Sequence, residues 1–379
     1  MDLICFSHIR WNFVYQRPQH LLNRYALNNR VFVVEEPVFE ANSDFYEIKK
    51  STDNTNLWVV VLHISKETLP AKINHTLKAL LDSCMYSNNI HDYILWYYSP
   101  MALPYSDHLQ PSLTIYDCMD ELSAFKAAPP ELKRLEVCLL ERADLVFTGG
   151  YSLYEAKKHL HHNIHPFPSS IDKSHFIKAR VFKEDPPDQA TIPHPRFGFY
   201  GVIDERFNIS LIDELSSLRP DWHFVLVGPV IKINPDSLPV KNNVHYLGKK
   251  EYKELPEYLA GWDVAILPFA LNESTKFISP TKTPEYLAGG KPVISASIKD
   301  VVNPYGKQGL VKIADTSEEF IDAAKQILDK KNDEELSIKV DGFLANISWN
   351  KTWSKMSGLI EEALEKKLIS KNKKSKVYV

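Results

Sequence analysis

Twelve short apolar runs, spaced by amphipathic stretches, constrain what this chain can fold into. LICFSH (3–8), RVFVVEEP (30–37), LWVVVLHI (57–64), YILWYY (93–98), SLTIYD (112–117) and ADLVFTGG (143–150) fill the first part. RFGFYGVI (196–203), HFVLVGP (223–229), NVHYLG (243–248), WDVAILPF (262–269), KPVISAS (291–297) and LVKIAD (310–315) fill the second. Near-continuous apolar runs closed by polar residues suit parallel strands covered on both faces. Helical patterns lie between them: 17–27, 129–143 (opening on Pro129), 210–220, 283–290 and 318–328. The alternation predicts α/β architecture with parallel sheets. A length of 379 residues fits about two domains at roughly 100–200 residues each.

The boundary is predicted where the rhythm breaks. Residues 172–195 are polar, carry four prolines and lack apolar periodicity, as an interdomain linker does. The expected organisation is a first domain over 1–176, a linker over 177–195, a second domain over 196–345, and a helix with a basic tail over 346–379. Six lysines between Lys366 and Lys376 make that tail either a solvated end or a peripheral contact with anionic membrane.

Composition excludes several classes. At 44% hydrophobic and 25% charged the chain is an ordinary globular one, and 45 Lys+Arg against 48 Asp+Glu gives no footprint for nucleic acid. Cys5, Cys84, Cys118 and Cys138 are scattered without a C-x-x-C pair, which predicts reduced thiols rather than disulfides or a zinc site. No apolar run approaches the roughly 18 residues of a spanning helix. The start, MDLICFSHIRW, has no signal-peptide pattern, so a cytoplasmic location is expected.

Ligands of open α/β sheets bind outside the carboxyl ends of strands. No phosphate loop, G-x-G-x-x-G, H-E-x-x-H or D-x-D is present. The informative block is SPTKTPEYLAGGKPVIS (279–295). Ser279 or Thr281 can cap a short helix, Lys282 adds a charge for phosphate, and Glu285 can accept two hydrogen bonds from a ribose diol. Gly289 and Gly290 are expected to end the helix in the left-handed conformation. The bland alternative is an ordinary helix-to-strand connection with a surface Glu–Lys pair. His161, His162 and His165 lack an acidic partner at ligand spacing and read as surface, and no metal site is expected.

This block resembles the donor-nucleotide signature of the GT-B glycosyltransferases, specifically the retaining family 4, whose common form is E-x7-E followed by A-x-A-x-G-x-P-V. Glu285, Gly290, Pro292 and Val293 match its later part. The first Glu falls on Phe277, and the nearest carboxylate is Glu273. FGFYGVIDERFN (197–208) is similar to the first strand and turn of the donor domain, which implies diphosphate contacts for Gly201 and Arg206. The usual Lys-Gly after it is absent, leaving Lys282 as second cation. NVHYLG (243–248) resembles the strand beside the base, with Leu247 and Gly248 at its end. ERADLVFTGGYSLYE (141–155) and PSSIDKSHF (168–176) resemble the end of the acceptor domain, and the Trp349–Trp353 segment resembles a helix crossing back to it.

WNFVYQRPQHLL (11–22), VVEEP (33–37) and LTIYDCMDELSAF (113–125) are similar to a bacterial subgroup making cell-surface polysaccharide and teichuronic acid. The resemblance implies two Rossmann-like domains facing across a cleft, and transfer of a sugar from a nucleoside-diphosphate sugar to a glycan or lipid-linked acceptor. It implies retention of configuration, with no metal and no cofactor beyond the donor substrate. Asp117 falls where many members have a catalytic-site His. Asp117 and Asp120 are therefore the catalytic candidates, with helix capping as the alternative. Arg10, Arg17 and His20 are candidates for the acceptor or leaving phosphate, or else a solvated helix face. A GT-B epimerase and a non-catalytic sugar-nucleotide-binding protein are the alternative functions.

Overall fold

The computed structural model describes residues 1–52, 54–330 and 333–377, with 371–377 as backbone alone. The apolar runs form two sheets. Strands β1 (Asp2–Ser7), β2 (Val31–Glu35), β3 (Val38–Ala41), β4 (Phe45–Lys50), β5 (Leu57–Ser65), β6 (Tyr93–Tyr97), β7 (Leu113–Cys118), β8 (Leu145–Thr148) and β9 (Ile164–Pro166) build the first. Strands β10 (Arg196–Tyr200), β11 (His223–Val227), β12 (Val244–Gly248), β13 (Val264–Leu267), β14 (Val293–Ser295) and β15 (Lys312–Ile313) build the second. Among the described residues every pairing between these strands is parallel except β4 on β5.

Both sheets share one strand order. The second runs β12-β11-β10-β13-β14-β15, and the first contains β5-β2-β1-β6-β7-β8, with β3 and β4 added beside β5. Each therefore has a switch point where the order reverses, between β1 and β6 and between β10 and β13. Crevices outside the carboxyl ends of strands at such points are where doubly wound sheets bind ligands. The central strands are buried on both faces, as their unbroken apolar runs predict.

The expected linker is not a free tether. Ile171, Phe176, Ala179 and Ile192 are packed in the second core, so residues from about 171 belong structurally to the second domain. Their apolar spacing is too irregular to show as a periodic element. The helix Trp349–Val377 does cross back: Trp349, Met356, Ile360 and Ala363 join the first core. Lys367 pairs with Asp144 at 2.6 Å and anchors that helix to the first domain. The side chains of Lys371, Lys373, Lys374 and Lys376 lie outside the described residues. Among the described residues no helix is long and apolar enough to cross a membrane.

Local chemistry moves some boundaries. The helix expected to open on Pro129 starts at Leu132, with the prolines in the preceding turn. Gly289 is right-handed and only Gly290, at φ +77°, is left-handed. Gly289 is needed for packing instead, because a Cβ there would meet Leu259 Cδ2 at 2.4 Å.

Gly198, in the middle of β10, shows how tightly the second core is filled. A Cβ at this position would lie 1.8 Å from Trp262 Cδ2, and Trp262 is fixed by its Nε1 donating to Gln189 Oε1 at 2.9 Å. Gly198→Ala should destabilise the protein by about 1–3 kcal/mol through overpacking. Urea unfolding checks this, and a second change, Trp262→Phe, should recover part of the loss.

Candidate active site

The two switch points open on one cleft of about 540 Å³ between the domains. The wall from the first domain carries His8, Arg10, Arg17, Ser99, Asp120 and Phe125; the wall from the second carries Tyr200, Gly201, Arg206, Lys232, Lys282 and Glu285.

On the second domain the site rests on a missing side chain. Gly201 follows β10 at φ +145°, and a Cβ there would sit 2.2 Å from Lys282 Cε. The absence of that atom lets Lys282, first residue of the helix Lys282–Ala288, extend across the floor. Burial lowers the Lys282 pKa, against the opposing pull of Glu285. One turn further on, Glu285 accepts a hydrogen bond from the Tyr200 hydroxyl at Oε2, 2.8 Å away. Among the described residues Oε1 accepts none. Burial raises the Glu285 pKa to about 7, with Tyr200 and Lys282 pulling the other way. Arg206 is held by Asp204 through Nε and Nη2, the latter at 2.6 Å from Oδ2. Such a pair fixes the plane of the guanidinium.

On the first domain the two candidate carboxylates separate. Asp117, on β7, is fully buried and receives Arg17 Nε and Nη2 at 2.8–3.1 Å. It lies behind the cleft surface and holds Arg17, whose Nη1 donates to Phe167 O at 2.7 Å. Asp120, beyond the strand, lines the cleft itself. Burial raises the Asp120 pKa to about 6, opposed by Arg206, Arg17 and Lys282 and reinforced by Asp204. Neither side chain caps a helix. Arg10 lines the cleft and pairs with Glu35 at 2.8 Å.

Other expectations are redistributed. His20 is 3% exposed, away from the cleft lining, and stacks on Trp349 with ring centroids 4.5 Å apart. The returning helix covers what the sequence pattern left as a polar face. Leu247 packs on the second core, and Gly248 gives its carbonyl to Gly228 N–H; neither lines the cleft. Thr281 occupies the cap position without a side-chain cap bond, and Ser279 instead accepts at Oγ from Ser169 N–H of the other domain. Both residues line the cleft. Glu273 pairs with Lys276 on the surface, and Phe277 packs against the first core. His161 and His165 bond to Ala143 O and Asn163 Oδ1.

Sequence reasoning missed His8, Tyr200, Asp204, Phe125 and Lys232. His8 follows β1, and burial, with the charge of Lys232 adding to it, lowers its pKa to about 4. Its place at a strand end beside a switch point was the available signal.

The comparisons decide the class. Residues 194–330 match the family Glycosyl transferases group 1. The match covers most of the second domain, and the chain is an enzyme of the glycosyltransferase class. A Bacillus subtilis (strain 168) protein described as a teichuronic acid biosynthesis glycosyltransferase, TuaH, is 26% identical over 283 residues, 69% of this chain and 70% of that protein. Among solved structures, sucrose-phosphate synthase from Thermosynechococcus elongatus superposes with a TM-score of 0.69 at 14% identity, over 95% of this chain and 98% of that one. Anabaena Alr3699/HepE in complex with UDP superposes with a TM-score of 0.67 at 12% identity, over 96% and 100% of the two chains. The fold is GT-B.

The pKa of Glu285, raised from 4.5 to about 7, links stability to pH. Its contribution is full below the unfolded value and is lost as pH rises through the folded one. Glu285→Gln removes the titration and keeps an acceptor for Tyr200. The variant should gain on the parent between about pH 5 and pH 8, by up to roughly 3 kcal/mol. Urea unfolding at the two pH values measures the difference.

Proposed function

We propose that the enzyme transfers a sugar from a nucleoside-diphosphate sugar to an acceptor hydroxyl, with retention and without a metal. The observation that carries the reading is the convergence of Glu285, Lys282 and Arg206 on one interdomain cleft, inside the segment that matches the family. Glu285 Oε1 is the acceptor for the ribose diol. Arg206 and Lys282 supply the positive charge for the diphosphate, so the charge that develops on departure meets fixed cations in a desolvated cleft.

In the reaction the bond between the anomeric carbon and the diphosphate oxygen breaks, its electron pair going to phosphate. The acceptor oxygen bonds to the same face of the sugar, and its proton passes to the departing phosphate oxygen. This front-face course needs no protein nucleophile. Asp120 faces the cleft among cations, where its carboxylate orients the acceptor hydroxyl or offsets charge on the donor ring. Asp117 serves by holding Arg17.

The likeness to the teichuronic acid enzyme supports a glycan or lipid-linked precursor of a surface polysaccharide as acceptor. The location we propose is cytoplasmic, at the inner face of the membrane, with the lysine-rich tail as peripheral contact.

A thermal-shift screen of UDP-, GDP-, dTDP- and ADP-sugars, followed by nucleotide release on the best binder, tests the reading; no stabilisation by any of the four would overturn it. Glu285→Ala should weaken the best binder about 10- to 100-fold, the range for hydrogen bonds to a charged group. Calorimetric titration checks this, and an unchanged affinity would remove the ribose role. Asp117→Asn, which unpairs the buried Arg17, should lower stability by several kcal/mol, measured by urea unfolding.

A further inference from the structure

A segment of the first domain reaches across the cleft. It runs from Met119 to Glu131, between β7 and the helix Leu132–Arg142. Its root is pinned: Glu121 pairs with the largely buried Lys157 at 2.8 Å, and Lys157 also holds Glu136. Two backbone hydrogen bonds, Phe125 N–H to Leu122 O and Ala128 N–H to Phe125 O, fix the turn that carries Phe125. The Phe125 ring meets two cations of the second domain. The Arg206 guanidinium carbon is 5.2 Å from its centroid and the Lys232 ammonium is 5.4 Å away. Both distances are within the range of cation–π attraction.

Backbone strain marks the same contact. Among the described residues three non-glycine positions have positive φ: Asn89, Ala127 and Lys232. Asn89 lies just past a helix end, where left-handed Asn is ordinary. Ala127 (φ 62°) and Lys232 (φ 60°) sit on the two loops that meet at Phe125, one from each domain. Neither residue type adopts this conformation cheaply, and strain of this kind persists where the surroundings impose it and clusters at functional sites.

Arg206 gives Nε and Nη2 to Asp204, and among the described residues Nη1 has no acceptor. Asp204 therefore holds the fork along one edge, while the Phe125 ring draws its charge from across the cleft.

We propose that Phe125 is a positioning residue for Arg206 and a latch between the domains. The ring engages Arg206 and Lys232 only when the domains are closed, so Nη1 is in place for the diphosphate in the closed state alone. The inference rests on the nucleoside-diphosphate reading of the cleft, and its test separates the two. Full-length Phe125→Ala, Phe125→Tyr and Phe125→Trp variants are compared with the parent, after thermal unfolding has shown that each folds. Calorimetry gives affinities for UDP and UMP, GDP and GMP, dTDP and dTMP, and ADP and AMP. For the pair that binds, Phe125→Ala should shrink the advantage of the diphosphate over the monophosphate about tenfold, the scale of a desolvated cation–π contact. Monophosphate affinity should stay within about twofold, because base and ribose contacts do not involve Arg206. Tyr and Trp should keep the advantage. An unchanged ratio in Phe125→Ala, or an equal loss in all three variants, overturns the positioning role.

Small-angle scattering without nucleotide tests the latch by itself. Phe125→Ala should have a larger radius of gyration than the parent, and Phe125→Trp should restore it; equal radii overturn the latch. If no nucleotide binds the parent, the functional reading fails, while scattering still decides whether Phe125 holds the domains together.

Discussion

Lys282 crosses the cleft floor through space that Gly201 leaves empty, and the electrostatics of the site follow from that approach. The floor is tight in a second way: a Cβ on Gly228 would sit 1.8 Å from Gly201 O. Two glycines at the ends of β10 and β11 thus bring the backbone low enough for a long cationic side chain to lie across it. Among the described residues Lys282 has no carboxylate in ion-pair range, and its ammonium lies 5.8 Å from the Phe199 ring centroid. Glu285, on the same helix, has its pKa lifted by burial. The protein therefore supplies little negative charge at Lys282. Arg206, by contrast, is already balanced by Asp204. On the proposed reading, a diphosphate entering here meets one cation that needs a counter-charge and one already paired with a carboxylate. It thereby favours the charged form of Lys282, which burial alone disfavours.

Most of the architecture was legible because buried parallel strands leave unbroken apolar runs, and all twelve runs became strands. The exceptions are physical. VFEA (β3) and FYEIKK (β4) form at one edge of the first sheet and the three-residue IHP (β9) at the other, all with partly exposed faces, so they lack the continuous run. That Lys282, Glu285, Gly201 and Arg206 share one wall of the cleft was legible because they are close in sequence: Lys282 and Glu285 share one helix, and Gly201 and Arg206 share one turn. The other wall is assembled from residues far apart. Asp117 and Asp120 look equivalent at a strand end, but Asp117 is still within the β7 ladder, opposite Phe147. It is committed there to Arg17, 100 residues away. Asp120 lies beyond the ladder and faces the cleft. His20 misled for the same reason, because the Trp349 that covers it comes from the far end of the chain.

Besides hydrogen bonds such as Ser169 N–H to Ser279 Oγ and Ser152 N–H to Asp300 Oδ1, the domains meet through an aromatic part and a cationic part. At one margin of the cleft, where Tyr15 and Tyr252 also line it, Tyr15, His20 and Trp349 pack with Tyr252, His175 and Phe176 at ring spacings of 4.4–5.7 Å. His20 in this group is held neutral: burial, with Arg24 and His175 adding to it, puts its pKa well below the ordinary value. Contacts of uncharged rings respond weakly to salt and to ligand charge.

Across the cleft the contacts are cationic: Phe125 with Arg206 and Lys232, and Phe13 with Lys249, whose ammonium also donates to Asn12 O at 3.2 Å. These exchange attraction with any anion that enters. The neutral part holds the domains in register with little dependence on charge, while the cationic part changes strength with the charge in the cleft. On the proposed reading, a diphosphate at Arg206 acts on this cationic portion, while the aromatic portion keeps the domains in contact.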